Sequence, residues 1–527
     1  MSVANVCTVA MSGTTESTPA IGVDAEWNRL FLDGEREPDG RDSLAVENPA
    51  TREQIAAVPK GTPQDIDDAY DVAATAQSEW ATQTPAKRAA VLSRAVSVLR
   101  DQEDEILELL TVEAGSSRLK GRNEIRAASA ITQQAAGFPT RVSGDHRESN
   151  IAGKEHLVKR EPVGVVGVIS PWNYPLHLSI RAVAPALAVG NGVVLKPSSE
   201  TPITGGLLIA RIFEAAGLPD GLLNVVPGRG SEIGDPMAGH PDAGVIAFTG
   251  STTVGRQVAK QAVDHLAYPA MELGGNGPHV VLESADVETA VDAGVFGSFL
   301  HQGQLCISIN RHLVHESLYG DYVEQFTTRA EALPVGDPAV EETVIGPVIN
   351  ESQREQMLNY VEQTVDAGAT LETGGAAVSN AAIEETTPAG QLSADHSLGD
   401  SNGLFVLPTV LSDATNAMSA ACNEHFGPIA PVIPFDSEDT AIELANDTDY
   451  GLAASVCGSV NRAERVASEI DAGMVHVNDQ PINDEPHVPF GGYKGSGIGR
   501  FNGEYVREEF TQPKWISIQH ESREYPF

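Results

Sequence analysis

Cysteine is scarce in this chain. The four among 527 residues, Cys7, Cys306, Cys422 and Cys457, lie far apart and show no CxxC or Cys/His ligand spacing. A disulfide framework and a zinc module are therefore not expected, and a reducing, cytoplasmic setting fits best. Basic residues are also few, 34 Lys and Arg against 73 Asp and Glu, for a net charge of −39. The acidic side chains are spread along most of the chain, so phosphate backbones and anionic lipid are repelled, and neither nucleic acid nor a membrane is an expected partner. Such a surface suits high salt; an ordinary acidic enzyme is the plainer alternative. No segment stays apolar for about 18 residues, and "MSVANVCTVAMSGTTESTPA" lacks a basic stretch followed by an apolar one. None of the 14 His residues falls in HExxH or another ligand pattern, so no metal is expected.

At 527 residues the chain should divide into two or three domains. The first forty or so residues, rich in Gly, Ser, Thr and Asp, read as a flexible lead before a strand near Arg29 to Leu32. Thr62, Pro63 and Asp65 mark a helix start, with Ile66, Ala69, Ala73 and Trp80 at helical spacing. Further helices are expected over 85–99, 101–113 and 122–137. From Leu157 the pattern becomes short apolar strands alternating with helices, the signature of a doubly wound parallel sheet whose ligand site lies beyond the strands' carboxyl ends. A second alternating region runs from "GPHVVLES" to about Val477, interrupted by a polar, acidic stretch near 376–403 that reads as a surface insertion. "FTQPKWISIQ" is a late strand, suited to a partner subunit or to the Leu157 hairpin.

Several residues stand where chemistry can happen. "FLHQGQLCISINR" holds Cys306 at a Gly/Gln-flanked turn between a helix and an apolar strand, making it a candidate nucleophile, although free cysteine is often inert core. "SPWNYPL" fixes Asn173 between two prolines at a strand end, where its amide can donate to an oxyanion or simply bond its own turn. "LKPSSETP" ends a strand on Lys196, within reach of a cofactor's ribose or phosphate. "GRGSEIG", containing Gly230, is one residue longer than the dinucleotide fingerprint, and "GSTTVGRQ" lacks the Lys-Ser/Thr pair of a P-loop. "MELGGNGP" sets Glu272 before a glycine pair, placed for a general base or buried structurally. "NEHFGP" adds Glu424 and Phe426. His301 is five residues before Cys306, as a proton partner or a packing residue.

Taken in order, "SPWNYPL", "LKPSSETP", "FTGSTTVG", "MELGGNGP", "GQLC" and "NEHFGP" resemble the aldehyde dehydrogenase superfamily over about Arg29 to Ile518. "HQGQLCISINR", "EAGSSRLKG" and "MVHVNDQPINDEPHVPFGG" are most similar to its benzaldehyde and vanillin dehydrogenase branch. The resemblance implies an α/β fold with a Rossmann-type dinucleotide-binding domain (29–144 and 163–273), an α/β catalytic domain (274–482) and a small β oligomerisation extension (145–162 and 500–527), after a lead over 1–28. It implies oxidation of an aldehyde with NAD or NADP: Cys306 attacks the carbonyl, Asn173 and the Cys306 N–H hold the oxyanion, and Glu272 activates the water that releases the acid. Ser170, Trp172, Lys196, Ser199, Gly230, Gly250, Ser251, Gly255, Leu273, Glu424 and Phe426 are the implied cofactor-binding residues. A homodimer or homotetramer is the implied assembly.

This chain departs from the family pattern in two places. Many members that prefer NAD carry Glu three residues after the motif Lys, where this chain has Ser199, with Glu200 one later; cofactor preference stays open. His425 replaces an apolar residue between Glu424 and Phe426. For substrate, Tyr174, His177, Leu178 and Arg181 share a helical face, and Leu300, Leu305 and Ile307 flank the thiol. An aromatic aldehyde suits these walls, while Arg181 can equally grip a semialdehyde's carboxylate or pair with a structural acid. A coenzyme A-acylating enzyme would not need Glu272, a Cys-His hydrolase would not need a dinucleotide, and a silent member of the fold would not be expected to keep Asn173, Glu272 and Cys306 together.

Overall fold

Five parallel strands form the centre of the first sheet, in the spatial order Leu223–Val225, Gly192–Lys196, Val165–Ile169, Ala243–Thr249 and Tyr268–Glu272. Counted along the chain that order is third, second, first, fourth, fifth. The direction of winding therefore reverses between Val165–Ile169 and Ala243–Thr249, and a crevice opens there beyond the strands' carboxyl ends. Val165–Ile169 and Gly192–Lys196 are buried along their whole length, as strands covered on both faces must be. The computed structural model describes residues 21–36, 40–386, 398 and 403–527.

Helices cover this sheet for reasons visible in their first turns. Pro63–Trp80 begins with a full capping box: Thr62 Oγ1 accepts from the Asp65 N–H and Asp65 Oδ2 accepts from the Thr62 N–H at 2.8 Å. The next helices span Pro85–Asp101, Glu103–Ala114 and Arg118–Ala136. The last starts four residues before the expected Arg122, because Ser117 caps it by accepting from the Lys120 N–H. Two acids from these helices cap other elements. Glu113 accepts from the Ile203 and Thr204 N–H groups, at 2.8 and 2.7 Å. Glu124 accepts from the Leu176 and His177 N–H groups, at 2.9 and 3.2 Å, at the start of the Pro175–Val189 helix. Glu124 also pairs with Lys120 at 2.5 Å, both fully buried.

Among the described residues the second sheet has seven strands, with Thr370–Thr373 antiparallel at one edge and Met474–Val477 at the other. The chain then returns to the first sheet: Gly497–Ile498 pairs antiparallel with Met271 and Glu272, a crossing that periodicity did not show. Thr511–Gln519 pairs with Lys154–Pro162, the hairpin that was one of its two expected partners. Among the described residues no helix is long and apolar enough to cross a membrane.

Two expectations need correction. Ile21 and Trp27 are 2% and 4% exposed and join the main core, so 21–28 is a packed segment, held partly by the Arg211 guanidinium 4.2 Å from the Trp27 ring. Residues 1–20 of the expected lead lie outside the described residues. The expected surface insertion is also anchored: Ala377–Val378 pairs with Phe405–Val406, and Ile383, Leu398 and Phe405 bury a small cluster with Ala50. Its stretches 387–397 and 399–402 lie outside the described residues.

Candidate active site

Cys306 is placed by a backbone that only close packing can hold. The Val287–Phe299 helix ends, and His301, Gln302 and Gly303 follow at φ of 51°, 55° and 69°. Three consecutive left-handed residues, two with side chains, are costly and persist only when surroundings fix them. Here Gln302 Nε2 donates to Pro347 O at 2.7 Å, and Gln304 Oε1 accepts from the Ile349 N–H at 3.0 Å. Gly303 lies so near Gly427 that a β-carbon would stand 2.2 Å from its carbonyl oxygen. The glycine pair of "MELGG" completes the seat. A β-carbon on Gly275 would stand 2.1 Å from Cys306 O, and one on Gly274 would stand 2.3 Å from Glu424 Oε2.

Asn173 is 4% exposed and its Nδ2 donates to Gln304 O at 2.8 Å, which ties the amide to the same loop as the thiol. Glu272 is 1% exposed and neither carboxylate oxygen has a hydrogen-bond partner. Burial pushes its pKa up to about 8, against the opposing charges of Arg181 and Arg500 and with a small push from Asp484. Burial likewise pushes the Cys306 thiol up to about 12, with Arg181 pulling it down and Glu424 and Glu272 adding to the rise. Glu424 is raised to about 7 by burial, offset by the Gly275 N–H bond at 2.9 Å. Burial thus favours the protonated forms of Cys306 and Glu272 at neutral pH.

Two cavities meet at Cys306, Asn173 and Leu178. One, of about 230 Å³, is lined by Trp172, Gly250, Ser251, Leu273, Glu424 and Phe426, all expected for a cofactor, together with Thr249 and Gly274. It sits at the crevice where the winding reverses. Trp172 and Phe426 meet edge to face, with ring centroids 5.4 Å apart. The other, of about 360 Å³, is lined by Tyr174, His177, Arg181, Leu300, Leu305 and Ile307, all expected for substrate.

Chemistry of the donor set fits a dinucleotide in the first cavity. Ser251 caps the Thr252–Asp264 helix, whose amino end suits a phosphate. Lys196, which is not among the residues lining that cavity, ends its strand buried; its Nζ donates to Pro197 O at 3.1 Å, and burial brings its pKa down to about 8. An ammonium so poorly partnered can bind a ribose hydroxyl or phosphate oxygen.

Residues 36–516 match the model of the Aldehyde dehydrogenase family. The chain belongs to the aldehyde dehydrogenase family. It is 45% identical over 504 residues to a benzaldehyde dehydrogenase of Bacillus subtilis, covering 95% of this chain and 99% of that protein. It is also 45% identical over 502 residues to a vanillin dehydrogenase of Corynebacterium glutamicum, covering 94% and 98%. Among solved structures, betaine aldehyde dehydrogenase of Staphylococcus aureus in complex with NAD+ superposes with a TM-score of 0.89 at 31% identity, covering 95% and 96%. The fold is that of an aldehyde dehydrogenase.

Some expected residues of this aldehyde dehydrogenase lie away from the first cavity. Ser199 lines a neighbouring cavity with Glu200 and Arg229; Gly230 opens an adjacent helix. Gly255 is where Leu273 packs, a β-carbon there standing 2.2 Å from its Cδ2, and Ser170 Oγ is buried without a partner. His301 is fully buried, its ring 5.8 Å from that of Tyr174, a packing position. Sequence reasoning missed Asp484, Phe490 and Phe296 in the second cavity and Arg229 beside Ser199. Asp484 sits in "PINDEPHVPF", a stretch that resembled the benzaldehyde branch and was assigned no role.

Proposed function

We propose that this enzyme oxidises an aromatic aldehyde to its carboxylic acid with reduction of NAD or NADP. The observation that carries this reading is the meeting of two cavities at one thiol, one fitted to a dinucleotide and the other walled by Leu300, Leu305, Ile307, Phe296 and Phe490. The names of the B. subtilis and C. glutamicum relatives support the aromatic class.

Cys306, its proton released to solvent, adds as thiolate to the aldehyde carbonyl, giving a tetrahedral adduct whose oxyanion takes hydrogen bonds from Asn173 Nδ2 and the Cys306 N–H. NAD or NADP, when bound, supplies the hydride acceptor that leaves a thioester on Cys306. Glu272 takes the proton of the water that hydrolyses the thioester, and the thiol is restored. Glu424, Phe426, Trp172, Gly250, Ser251 and Leu273 line the cofactor cavity, and Lys196 serves its ribose or phosphate. Ser199, Glu200 and Arg229 offer both a carboxylate and a guanidinium to the adenosine end, so both cofactors remain in the proposal.

The semialdehyde alternative loses support from Arg181, which already holds Asp484 and stacks on Phe490 and Phe501 with its Cζ 4.2 and 5.3 Å from the ring centroids. The test is kcat/KM for benzaldehyde against a short semialdehyde. A clear preference for the semialdehyde overturns the aromatic reading.

We assign 29–144 with 163–273 to dinucleotide binding, 274–482 to the catalytic half, and 145–162 with 500–527 to assembly. A homodimer or homotetramer is supported by the sheet edge at Thr511–Gln519, where Trp515 is 67% exposed, and by Leu266, 92% exposed. The acidic composition supports a cytoplasmic, salt-adapted enzyme without nucleic acid or membrane partners.

A further inference from the structure

Among the described residues, two guanidinium groups stand in the wall of the substrate cavity, and they differ in what surrounds them. Arg126 is exposed and bonds Asn123 at 3.4 Å. Arg181 is 1% exposed and stacked on the rings of Phe490 and Phe501. A cation buried among rings is costly unless an acid pairs with it. That acid is Asp484, but it is shared: Oδ2 lies 2.7 Å from His177 Nε2 and 3.4 Å from Arg181 Nη1, and Asn502 Nδ2 donates to Oδ1. Arg181 has the longest of these three contacts, so its charge is only partly cancelled.

What holds Arg181 also seats the base. Phe490 and Phe501 exchange two backbone hydrogen bonds, at 2.9 and 2.8 Å. Their neighbours Gly491 and Arg500 close on Glu272: a β-carbon on Gly491 would stand 2.9 Å from Glu272 Oε1 and 2.8 Å from Arg500 Cδ. One short bridge thus fixes a buried cation near the base, in the wall of the cavity that Cys306 also lines. Cys306 and Glu272 must each become an anion where burial opposes charge, whereas a guanidinium keeps its charge throughout. Of the groups acting on Cys306, Arg181 favours the thiolate while Glu424 and Glu272 oppose it, with Tyr174 nearby. Arg181 and Arg500 favour the Glu272 carboxylate, and Asp484 opposes it.

We propose that Arg181 is the charge that makes both reacting anions accessible in this buried pocket: its guanidinium stabilises first the Cys306 thiolate and then the Glu272 carboxylate, while Phe490, Phe501 and Asp484 hold it in place. This rests on the roles given above to Cys306 and Glu272, and not on the class of aldehyde. Arg181 is a positioning residue, acting through two groups that touch the reacting atoms. No proton passes through it: the thiol gives its proton to solvent, and the proton of the hydrolytic water goes to Glu272.

The test is alkylation of Cys306 in the full-length enzyme at mildly alkaline pH, with neutral iodoacetamide and with anionic iodoacetate, read by mass spectrometry of the Cys306 peptide. Wild type is compared with Arg181→Met and Arg181→Lys. Only the thiolate reacts. Loss of a nearby cation should cut its population by roughly tenfold or more. The more basic thiolate that remains is a better nucleophile, so the iodoacetamide rate in Arg181→Met should fall by roughly threefold or more. Iodoacetate should lose more than iodoacetamide, because the cation that attracts it is gone, and Arg181→Lys should recover part of both losses. A packing role would change the two rates alike. The pH at which deacylation levels off should also move up in Arg181→Met, since Glu272 loses the same cation. If Arg181→Met does not fold, combining it with Asp484→Asn removes the stranded acid, and the iodoacetamide loss should persist. An iodoacetamide rate within about twofold of wild type, with an unchanged ratio of the two reagents, would overturn the proposal. Wild-type turnover in Cys306→Ala would instead overturn the reading of the nucleophile on which it rests.

Discussion

The carboxylate of Glu424 rests on the backbone of Gly274, and a β-carbon there would stand 2.3 Å from Oε2. The neighbouring Gly275 N–H donates to the other oxygen at 2.9 Å. Two adjacent glycines thus seat the Glu424 carboxylate and the Cys306 carbonyl. Gly274→Ala should displace Glu424, raise the Kd for cofactor measured by fluorescence titration, and cost about 1–3 kcal/mol in urea unfolding. Unchanged cofactor affinity would separate Glu424 from cofactor binding.

Asn173→Ala removes the amide that Gln304 O holds beside the thiol. If it is an oxyanion donor, kcat should drop roughly 10²-fold to 10³-fold while the protein stays folded. A loss under about threefold would leave Asn173 as a structural clamp on the Cys306 loop.

Glu272 gives a pH prediction with a definite sign. Burial raises its pKa to about 8, so at neutral pH the base form is the minority and the deacylation rate should climb as pH approaches 8. Stability runs the opposite way. The unfolded glutamate ionises near 4.3, the folded one near 8, so stability is complete below the first value and is lost as pH rises through the second. Glu272→Gln should therefore melt higher than wild type at pH 9 and show little advantage at pH 4, while giving one turnover of reduced cofactor without steady-state turnover. A variant less stable than wild type at pH 9 contradicts the unpartnered carboxylate.

Lys120 and Glu124 form a fully buried ion pair whose acid also caps the Pro175–Val189 helix. Lys120→Met leaves that acid without its cation and should cost roughly 3–5 kcal/mol in equilibrium unfolding. A loss below about 1 kcal/mol would mean the backbone N–H groups alone support Glu124.

The net charge of −39 predicts that the melting temperature rises with salt. Molar salt shortens the Debye length to about 3 Å and screens self-repulsion. Differential scanning calorimetry from dilute buffer to molar salt checks this, and a melting temperature independent of salt would make the surface an ordinary acidic one.

Much of the site was legible because it sits at places where short-range rules act. Thr62 and Asp65 announced their helix through capping, and Asn173, Lys196 and Glu272 fall at the ends of buried strands whose apolar runs are plain in the sequence. Arg118 to Gly121 escaped because the helix there is held by Ser117 and by a Lys120–Glu124 pair formed only in the core. Ile21 and Trp27 fall in the expected loose lead because their burial depends on core residues far along the chain, with the Arg211 guanidinium over the Trp27 ring. Asp484 escaped for the same reason: a lone acid in a loop becomes a site residue only when folding brings it to His177 and Arg181, 307 and 303 positions away.

The central claim is that Cys306 carries the acyl group, and intact-protein mass spectrometry of Glu272→Gln mixed with benzaldehyde and NAD or NADP tests it directly. The account predicts a benzoyl adduct that maps to Cys306 and is absent from the double variant with Cys306→Ala, formed together with one equivalent of reduced cofactor. Reduced cofactor appearing at the wild-type rate in the Cys306→Ala enzyme, with no adduct on either protein, would contradict it.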